Sequence, residues 1–408
     1  MDPKPTPPRE VGQNGPLSRF IPQYMALIRA QGYVRASQRY HQTLLEHFDS
    51  WLARHRRSLA QIDEALIEEF LVPLVRAQWV HVSAPATMRR LVALLRQLGI
   101  TPPVAKPPTT AAEETVARYQ CFLTKERALS PATAQSWTRY IVLLLSEKFA
   151  DRPLDLSALS ASDITTFVQR HARRYGASYA RKLVASLRSF LRYIYYKALH
   201  EQDLARFVPR VPRWALSTLP KHLPARDVRR VLAACDRRTA LGRRDYAILL
   251  LLARLGLRAG EVIRLTLDDI DWENARLSVH GKADRFAQLP LPADVASAIA
   301  KYLRRDRPRC ECRAVFIRDY APLVGLAKAN SIGKIVKTAL KAAGVNSARQ
   351  GAHLLRHSLA TDMLRQGASL DEIGEILRHR SPDTTAIYAK VDLMALRSIA
   401  VAWPGGAR

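Results

Sequence analysis

HLLRHSLATDMLRQGASLDEIGEILRHRSPDTTAIYAK, residues 353–390, carries the strongest structural signals in this 408-residue chain. The spacing of its apolar residues, with the residues that typically begin and end helices, predicts three consecutive helical stretches. The first runs from His353 to Arg365 and stops at Gly367, since glycine commonly ends helices. The second opens with a capping box over residues 369–372, and the third opens at Ser381-Pro382.

The same segment carries side chains with phosphate chemistry: His353, Arg356, His379 and Tyr388. His353 and Arg356 are three residues apart on a helix and are therefore expected to share a face, with His357 beside them. The pair His353 and His357 also has the spacing of a metal-binding pair. No glutamate follows His353 and no third ligand is at hand, so we predict no metal there.

Two further candidates lie upstream of this segment. LGLRAGEVIRLTLDDID (residues 255–271) places Arg258 after an apolar helix, with Glu261 close enough to orient a neighbouring side chain. The strand-like runs RLSVH (276–280) and FAQLPL (286–291) predict a β-hairpin, and Lys282 lies in its turn.

Together these groups fit around a phosphate. Cleavage of a phosphodiester increases the charge on its oxygens, which the planar forks of Arg258 and Arg356 can bind. Tyr388 would be the nucleophile. A phenol with a pKa of about 10 needs a base or a positive field, which His353 and the two arginines would supply. Lys282 would act as general acid.

Taken singly, each residue has an ordinary explanation: a packing tyrosine, a surface arginine, or a histidine that caps a helix. Taken jointly and in this order, they indicate phosphodiester cleavage that uses neither a metal nor a cofactor.

Composition points to the same partner. The net charge is +28, with excesses of +6, +7 and +15 over residues 1–110, 111–210 and 211–408, so basic surfaces are spread over the whole chain. Such a distribution favours binding to nucleic acid. The four cysteines, including Cys310 and Cys312, lack zinc or disulfide spacing and are expected to be reduced thiols. With no membrane span and no signal peptide, we expect a soluble cytoplasmic protein.

Proline-rich stretches divide the chain. We predict a disordered tail (1–16), an extra helical domain (17–100), a linker (101–110), a second helical domain (111–207), a linker (208–224), a mixed α+β domain (225–390) and a C-terminal tail (391–408). The expected fold class is mainly α with a small β-sheet.

The two helical domains also resemble each other. RYHQTLLEHF (39–48) parallels RYIVLLLSEKF (139–149), and RRLVALLRQL (89–98) parallels RKLVASLRSF (181–190). A third pair, IDEALIEEFL (62–71) and SDITTFVQR (162–170), keeps the same order. This suggests a tandem duplication, although amphipathic helices of similar length resemble one another in any case.

Residues of about 220–400 resemble the catalytic domain of the tyrosine recombinases, which include phage integrases and the recombinases that resolve chromosome dimers. The resemblance rests on LGLRAGEVIRLTLDDID, GKADRFAQLPL and the segment quoted first. It implies that Arg258, Lys282, His353, Arg356 and His379 are catalytic, that Tyr388 is the nucleophile and that Glu261 supports them. One departure is that the turn GKADRF lacks the second glycine that often follows the lysine.

Residues of about 111–207 resemble the helical core-binding domain of the same family, so Arg139, Arg181, Lys182 and Arg188 are expected to contact DNA. The resemblance implies a clamp around the duplex, a 3′-phosphotyrosyl bond, a Holliday junction and a homo-tetramer on inverted-repeat half-sites. Accessory recombinases, DNA-bending proteins, a nucleoid location and a mobile-element origin are part of the same expectation. The segment VDLMALRSIAVAW (391–403) would dock on a neighbouring subunit or fold back, and the extra domain exceeds the family's minimal pattern.

Two other functions remain open at this point. A type IB topoisomerase uses a similar pocket as a monomer, but the repeated basic modules and the tail favour recombination. A DNA-binding accessory protein without chemistry would have no need for Tyr388 or Lys282.

Overall fold

The computed structural model describes residues 15–103, 110–150, 152–211, 221–281, 286–379 and 381–391, the side chains of 383, 390 and 391 excepted. The α-helices of the described residues are, in chain order, α1 (Ile21–Ala30), α2 (Arg35–Arg54), α3 (Glu64–Arg76), α4 (Ala84–Gln97), α5 (Ala111–Lys125), α6 (Pro131–Phe149), α7 (Ala161–Arg174), α8 (Ala177–Tyr196), α9 (Ala225–Ala233), α10 (Ala240–Arg254), α11 (Ala259–Arg264), α12 (Ala293–Arg305), α13 (Ala329–Ala342), α14 (Ala352–Arg365), α15 (Leu370–Leu377) and α16 (Pro382–Thr385). Short 3₁₀ turns cover Leu59–Gln61, Leu156–Ala158, Leu204–Phe207, Leu267–Asp269 and Ala386–Val391.

The strands form one small antiparallel sheet in the order β1 (Ile270–Asp271), β2 (Arg276–His280) and β3 (Phe286–Pro290). In the register of β2 with β3, Leu277 lies opposite Leu289. The predicted hairpin and the predicted class, mainly α with a small sheet, are therefore confirmed. Lys282 and the rest of the turn (282–285) lie outside the described residues.

Three separate hydrophobic cores organise the helices. We call the parts of the chain around them the N-terminal block (15–103), the middle block (110–211) and the C-terminal block (221–391). Their cores run from Leu17 to Leu95, from Tyr119 to Val208 and from Leu223 to Leu355. The middle block is one compact unit, whereas the N- and C-terminal blocks belong to the other.

Within that second unit, the backbone N–H of Leu323 donates to the carbonyl of Gln31 at 2.9 Å. The N-terminal block begins before residue 17, because Gly15 and Leu17 donate their N–H groups to the buried carboxylate of Asp49 at 3.0 and 2.7 Å. The predicted tail over residues 1–14 and most of both predicted linkers lie outside the described residues, as does the tail beyond 391.

Local sequence signals account for several helix ends. The Ser130 hydroxyl accepts the N–H of Thr133 at 3.3 Å and caps α6, followed by proline in the first turn. Ser369 and Glu372 close the predicted capping box at the start of α15. Gly367, with φ of +93°, follows the end of α14.

The third predicted helical stretch is shorter than its sequence suggested. It is α-helical only over Pro382–Thr385 and continues as a 3₁₀ turn that contains Tyr388. The α-helical part ends at the β-branched pair Thr384 and Thr385, which has low helix propensity, and the Thr385 hydroxyl lies 2.7 Å from Nδ1 of His379.

No helix within the described ranges is long and apolar enough to cross a lipid bilayer.

Candidate active site

A tight turn between α10 and α11 brings the first candidate residue into place. Gly256 has a φ of +58°, and a Cβ there would lie 2.6 Å from a methyl group of Leu377. Glycine is therefore needed for both the left-handed backbone and the close approach. The turn ends at Arg258, which is the N-cap residue of α11.

Glu261 links two arginines that are far apart in sequence. Its Oε2 accepts the backbone N–H of Arg258 at 2.8 Å, and its Oε1 accepts the Arg258 guanidinium at 2.7 Å. The guanidinium of Arg378 donates to Oε2 at 3.1 Å. Burial alone would raise the pKa of Glu261, but the Arg258 N–H and the charges of Arg378 and Arg258 outweigh it and lower that pKa. Glu261 is thus an ionised anchor for both cations.

Arg258 also remains available to a ligand. Its side chain retains 36 % exposure, whereas that of Glu261 retains 2 %. A second guanidinium nitrogen of Arg258 donates to the backbone carbonyl of Arg378 at 3.2 Å, so two nitrogens of this guanidinium are held by the protein. The free edge of the fork can bind an anion from solution.

Arg356 is buried where α14 passes the Gly256 turn and the end of α15. Its guanidinium donates to the carbonyl oxygens of Gly256 and Leu377. Burial, and then the charges of Arg258 and Arg378, lower the pKa of Arg356. Arginine nevertheless keeps its charge in proteins, so the site holds a buried, oriented cation.

Tyr388 lies in a small apolar cluster with Ile373 and Leu377. Its side chain is almost fully buried, and its hydroxyl lies 2.7 Å from Nδ1 of His357. Burial raises the pKa of Tyr388 to about 12, against the opposing field of Arg356. The phenol is therefore neutral near pH 7 and hydrogen-bonds to an imidazole.

The imidazoles around Tyr388 are neutral near pH 7. Burial, followed by the charge of His353, lowers the pKa of His357 to about 4. Burial, followed by Arg356 and Arg258, lowers the pKa of His379 to about 4. His379 stacks on the ring of Tyr388 with a centroid separation of 6.4 Å. Neutral His357 can accept the phenolic proton, which protonated histidine cannot.

The cluster carries excess positive charge. The guanidiniums of Arg258, Arg356 and Arg378 face one carboxylate, that of Glu261. A partly buried site with this imbalance is suited to an anionic ligand such as a phosphate. The described residues form no cluster of three or more potential metal ligands.

The structure brings together most of the predicted site. Arg258, Glu261, Arg356, His379 and Tyr388 converge from α11, α14 and the two segments after α15. His353 lies at the rim with an exposed side chain, so it does not share the buried position of Arg356. Its pKa is lowered by partial burial and then by Arg356 and Arg258. Lys282 lies outside the described residues.

In the middle block, the predicted DNA contacts differ in position. Arg139, Arg181 and Lys182 are exposed. Arg188 is half-buried, and its guanidinium donates to the carbonyls of Val208 and Pro209 at 2.9 and 3.1 Å. This placement favours a structural role for Arg188.

Two residues of the cluster, His357 and Arg378, have a role that the sequence did not predict. His357 rather than His353 contacts the phenol, and the only signal available was its place one turn further along α14. Arg378 ends α15 with a left-handed backbone (φ of +55°) and binds Glu261. Nothing local in the sequence predicts a contact across 117 residues.

Family models match two parts of the chain. The model described as the phage integrase family matches residues 221–394, and the one described as the phage integrase N-terminal SAM-like domain matches 116–198. They coincide with most of the C-terminal and middle blocks.

Curated relatives extend the similarity to nearly the full length. A putative integrase/recombinase y4rA of Sinorhizobium fredii is 43% identical over 396 residues, which cover 97% of this chain and 96% of the relative. The tyrosine recombinase XerD of Listeria innocua is 32% identical over 285 residues, covering 68% and 94%.

Solved structures share the fold at low identity. The XerH site-specific recombinase in a post-cleavage complex with its palindromic difH substrate matches with a TM-score of 0.56 and 18% identity, covering 72% of this chain and 90% of XerH. A lambda integrase (75–356) dimer bound to a core site matches with a TM-score of 0.53 and 15% identity, covering 69% and 95%.

Proposed function

Because this chain belongs to the tyrosine recombinases of the phage integrase family, we propose that it breaks and rejoins DNA strands with Tyr388 as the nucleophile. Its substrate would be duplex DNA that carries inverted-repeat half-sites. The observation that carries the proposal is the neutral phenol of Tyr388, hydrogen-bonded to His357 at 2.7 Å in the field of Arg356.

The proposed step follows from these contacts. The phenolic oxygen of Tyr388 attacks a backbone phosphorus while its proton passes to neutral His357. The bond from phosphorus to the 5′ oxygen breaks, and Lys282 is assigned to protonate that oxygen. The product is a 3′-phosphotyrosyl bond and a free 5′ hydroxyl. The reverse reaction rejoins a strand without ATP, because the new bond retains the energy of the old one.

The arginines are assigned to the phosphate oxygens. Arg258 presents a partly exposed fork, and Arg356 presents a buried charge that two backbone carbonyls hold in place. Fixed donors stabilise the charge that develops at the phosphorus without reorganising during the reaction. His379, stacked against Tyr388 and tied to Thr385, would bind or orient the same phosphate.

The proposed intermediate, assembly, location and partner proteins are those expected for the family. Exchange would pass through a Holliday junction in a homo-tetramer assembled on paired sites, in the bacterial cytoplasm near the nucleoid. Accessory recombinases or DNA-bending proteins would assist. The 43% identity to an integrase/recombinase over almost the whole chain supports recombination rather than simple relaxation of supercoils.

A nicked suicide substrate tests the chemistry. Loss of the short fragment below the nick traps the covalent complex, which a denaturing gel resolves. Tyr388→Phe should abolish this complex and leave binding in a gel shift nearly intact. Tyr302→Phe is a matched control, since Tyr302 is another buried tyrosine of the C-terminal block and accepts a backbone N–H at 3.2 Å.

A covalent complex in Tyr388→Phe, or equal loss of binding and cleavage, would refute the assignment. Cleavage by the unaltered protein should persist in EDTA. Relaxation of a plasmid that lacks paired sites, without strand exchange on one that carries them, would favour a topoisomerase.

A further inference from the structure

The N-terminal block and the middle block have the same order of elements. In each, two helices precede a 3₁₀ turn and two helices follow it, giving α1–α4 around Leu59–Gln61 and α5–α8 around Leu156–Ala158. A side-chain cap opens the third helix of each block. The carboxylate of Asp63 caps α3, and the hydroxyl of Ser160 caps α7.

In each block a buried tyrosine of the first helix hydrogen-bonds to a backbone carbonyl of the fourth helix, at positions of the fourth helix that differ by about two turns. In the N-terminal block, the buried Tyr24 hydroxyl of α1 donates to the carbonyl of Thr87 in α4 at 3.5 Å. In the middle block, the buried Tyr119 hydroxyl of α5 donates to the carbonyl of Ser186 in α8 at 3.4 Å. The two contacts span 63 and 67 residues, so each depends on the packing of its whole block.

An arginine near the end of the fourth helix holds the chain segment that follows. Arg96 Nε donates to the carbonyl of Pro102 at 3.2 Å. Arg188 Nη2 donates to the carbonyl of Pro209 at 3.1 Å. These two arginines occupy matching places in RRLVALLRQL and RKLVASLRSF.

The same following segment is tied to the 3₁₀ region in each block. The Thr101 hydroxyl donates to the carbonyl of Leu59 at 3.4 Å, and Nε2 of His200 lies 3.0 Å from the carbonyl of Leu159. Amphipathic helices of similar length do not by themselves produce the same order of elements, an aligned arginine that holds the following segment, and a tie from that segment to the 3₁₀ region. Duplication of one module therefore accounts for the pair better than chance likeness.

The matching extends to exposed basic residues. Arg39 of α2 corresponds to Arg139 of α6, and Arg89 of α4 corresponds to Arg181 of α8. All four side chains are exposed. Residues 17–103 contain eleven arginines, no lysine and six acidic residues, so the N-terminal block carries its own positive excess.

Arg39 and Arg139 each precede a tyrosine that contacts the fourth helix of its block or the segment just before that helix. In the N-terminal block, the Tyr40 hydroxyl of α2 accepts the N–H of His81, just before α4, at 3.2 Å. In the middle block, Tyr140 of α6 packs edge-on against Tyr179 of α8 at 5.2 Å. Arg39 lies on α2 beside Tyr40, and Arg89 lies on α4, the helix that begins just after His81; we call these two exposed arginines the Arg39 face.

Two acidic residues of the N-terminal block pair with arginines other than Arg39 and Arg89. Glu64, at the start of α3, pairs with Arg96 at the end of α4 at 2.9 Å. Glu69 pairs with Arg57, beyond the end of α2, at 3.5 Å. The exposed Glu46 lies seven residues after Arg39 on α2, but eleven arginines against six acidic residues still leave the block with a positive excess.

We propose that the N-terminal block is a second DNA-binding module, a duplicate of the middle block, and that it holds duplex DNA by phosphate contacts from the Arg39 face. This rests on the proposed function, since it takes DNA to be the substrate. Arginine forks on a helical surface match phosphate oxygens, and such contacts contribute affinity without base specificity. The chain would thus grip DNA with two helical modules.

Salt-dependent binding of the full chain tests the module. The face variant is Arg39→Ala/Arg89→Ala. The control variant is Arg54→Ala/Arg56→Gly, which removes the same charge at the far end of α2, about 22 Å from Arg39 along the helix axis. Glycine is chosen at residue 56 because Arg56 has a φ of +51°. The probe is a linear duplex of arbitrary sequence, and circular dichroism checks that both variants are folded.

The dissociation constant is measured against salt concentration for the three proteins. Loss of two phosphate contacts should make the log–log slope shallower by about 2 in the face variant. The control variant should keep the slope of the unaltered protein. Equal slopes in the face and control variants would overturn the proposal. A face that binds a protein partner instead of DNA would give this same result.

This outcome is separable from failure of the proposed function. A protein that forms the Tyr388 covalent complex yet shows equal slopes refutes only the second module. A shallower slope in the face variant, without any covalent complex in the unaltered protein, supports the module and refutes the chemistry.

Discussion

The hydroxyl of Tyr388 lies 2.7 Å from Nδ1 of His357, which sits 31 residues earlier on α14. Tyr388 is buried and His357 is half-buried, and burial shifts the pKa values of both groups toward the neutral forms. The proposed nucleophile therefore rests as a protonated phenol against a neutral acceptor. In the proposed mechanism this contact gives His357 two separable roles, one in the stability of the fold and one in proton transfer.

His357→Ala should affect both stability and cleavage. Leaving the Tyr388 hydroxyl buried without its acceptor should cost about 1–3 kcal/mol in the free energy of unfolding. Loss of the proton acceptor should slow single-turnover cleavage about 100-fold or more. Denaturant unfolding and trapping on the nicked substrate measure the two effects.

His353→Ala is the comparison for that variant. The His353 side chain is exposed at the rim, so its loss should change the free energy of unfolding by less than about 0.5 kcal/mol. Cleavage should slow without a matching loss of stability. If the two histidine variants lose equal stability, the contact between His357 and Tyr388 is not formed in solution.

Two substitutions of Arg378 should separate the effect of backbone strain at this position from the effect of losing its side chain. With φ at +55°, Arg378→Gly should be more stable than Arg378→Ala by about 1 kcal/mol, since glycine tolerates the left-handed region. Both variants lose the contact with Glu261 that helps to fix Arg258. Both should therefore cleave about 10- to 100-fold more slowly, because the phosphate-binding geometry loosens.

Urea unfolding and single-turnover cleavage of the two variants test this expectation. An Arg378→Lys variant should recover part of the cleavage rate, since a cation is restored near Glu261. Wild-type cleavage by Arg378→Gly would show that Arg258 is held without Arg378.

Stability should fall as the pH is lowered from about 6.5 toward about 4. Burial lowers the pKa of His41, His357 and His379 to about 4 in the folded chain. Histidines of the unfolded chain take up protons near pH 6.5, so over this window the unfolded state binds more protons and is favoured. Above about pH 6.5 these histidines no longer favour the unfolded state, so the free energy of unfolding keeps its full value.

The midpoint of urea unfolding, followed from neutral to acidic pH, measures this loss. His41→Asn should flatten the pH dependence in the transition of the N-terminal block, because a hydrogen-bonding side chain remains but cannot titrate. His55→Ala, at an exposed position immediately after the end of α2, is the control that removes a histidine from outside the core. A flat profile in the unaltered protein would contradict the burial of these imidazoles.

Local patterns predicted most of the architecture. Apolar periodicity located the helices, strand alternation located β2 and β3, and Ser369 with Glu372 marked the start of α15, because each signal acts within a few residues. The stretch after Ser381 is α-helical only to Thr385 and continues as a 3₁₀ turn, and periodicity does not report the bond between Thr385 and His379.

The sequence alone determined which chemical groups are present and in what order: two arginines, a lysine, two histidines and a tyrosine, on a chain of charge +28. Only the tertiary structure decided that His357 contacts the phenol and that Arg378 joins Arg258 through Glu261. The physical reason is that spacing within a helix fixes only which residues share a face. The contact between Arg378 and Glu261, which are 117 residues apart, depends on how α11 packs against the ends of α14 and α15.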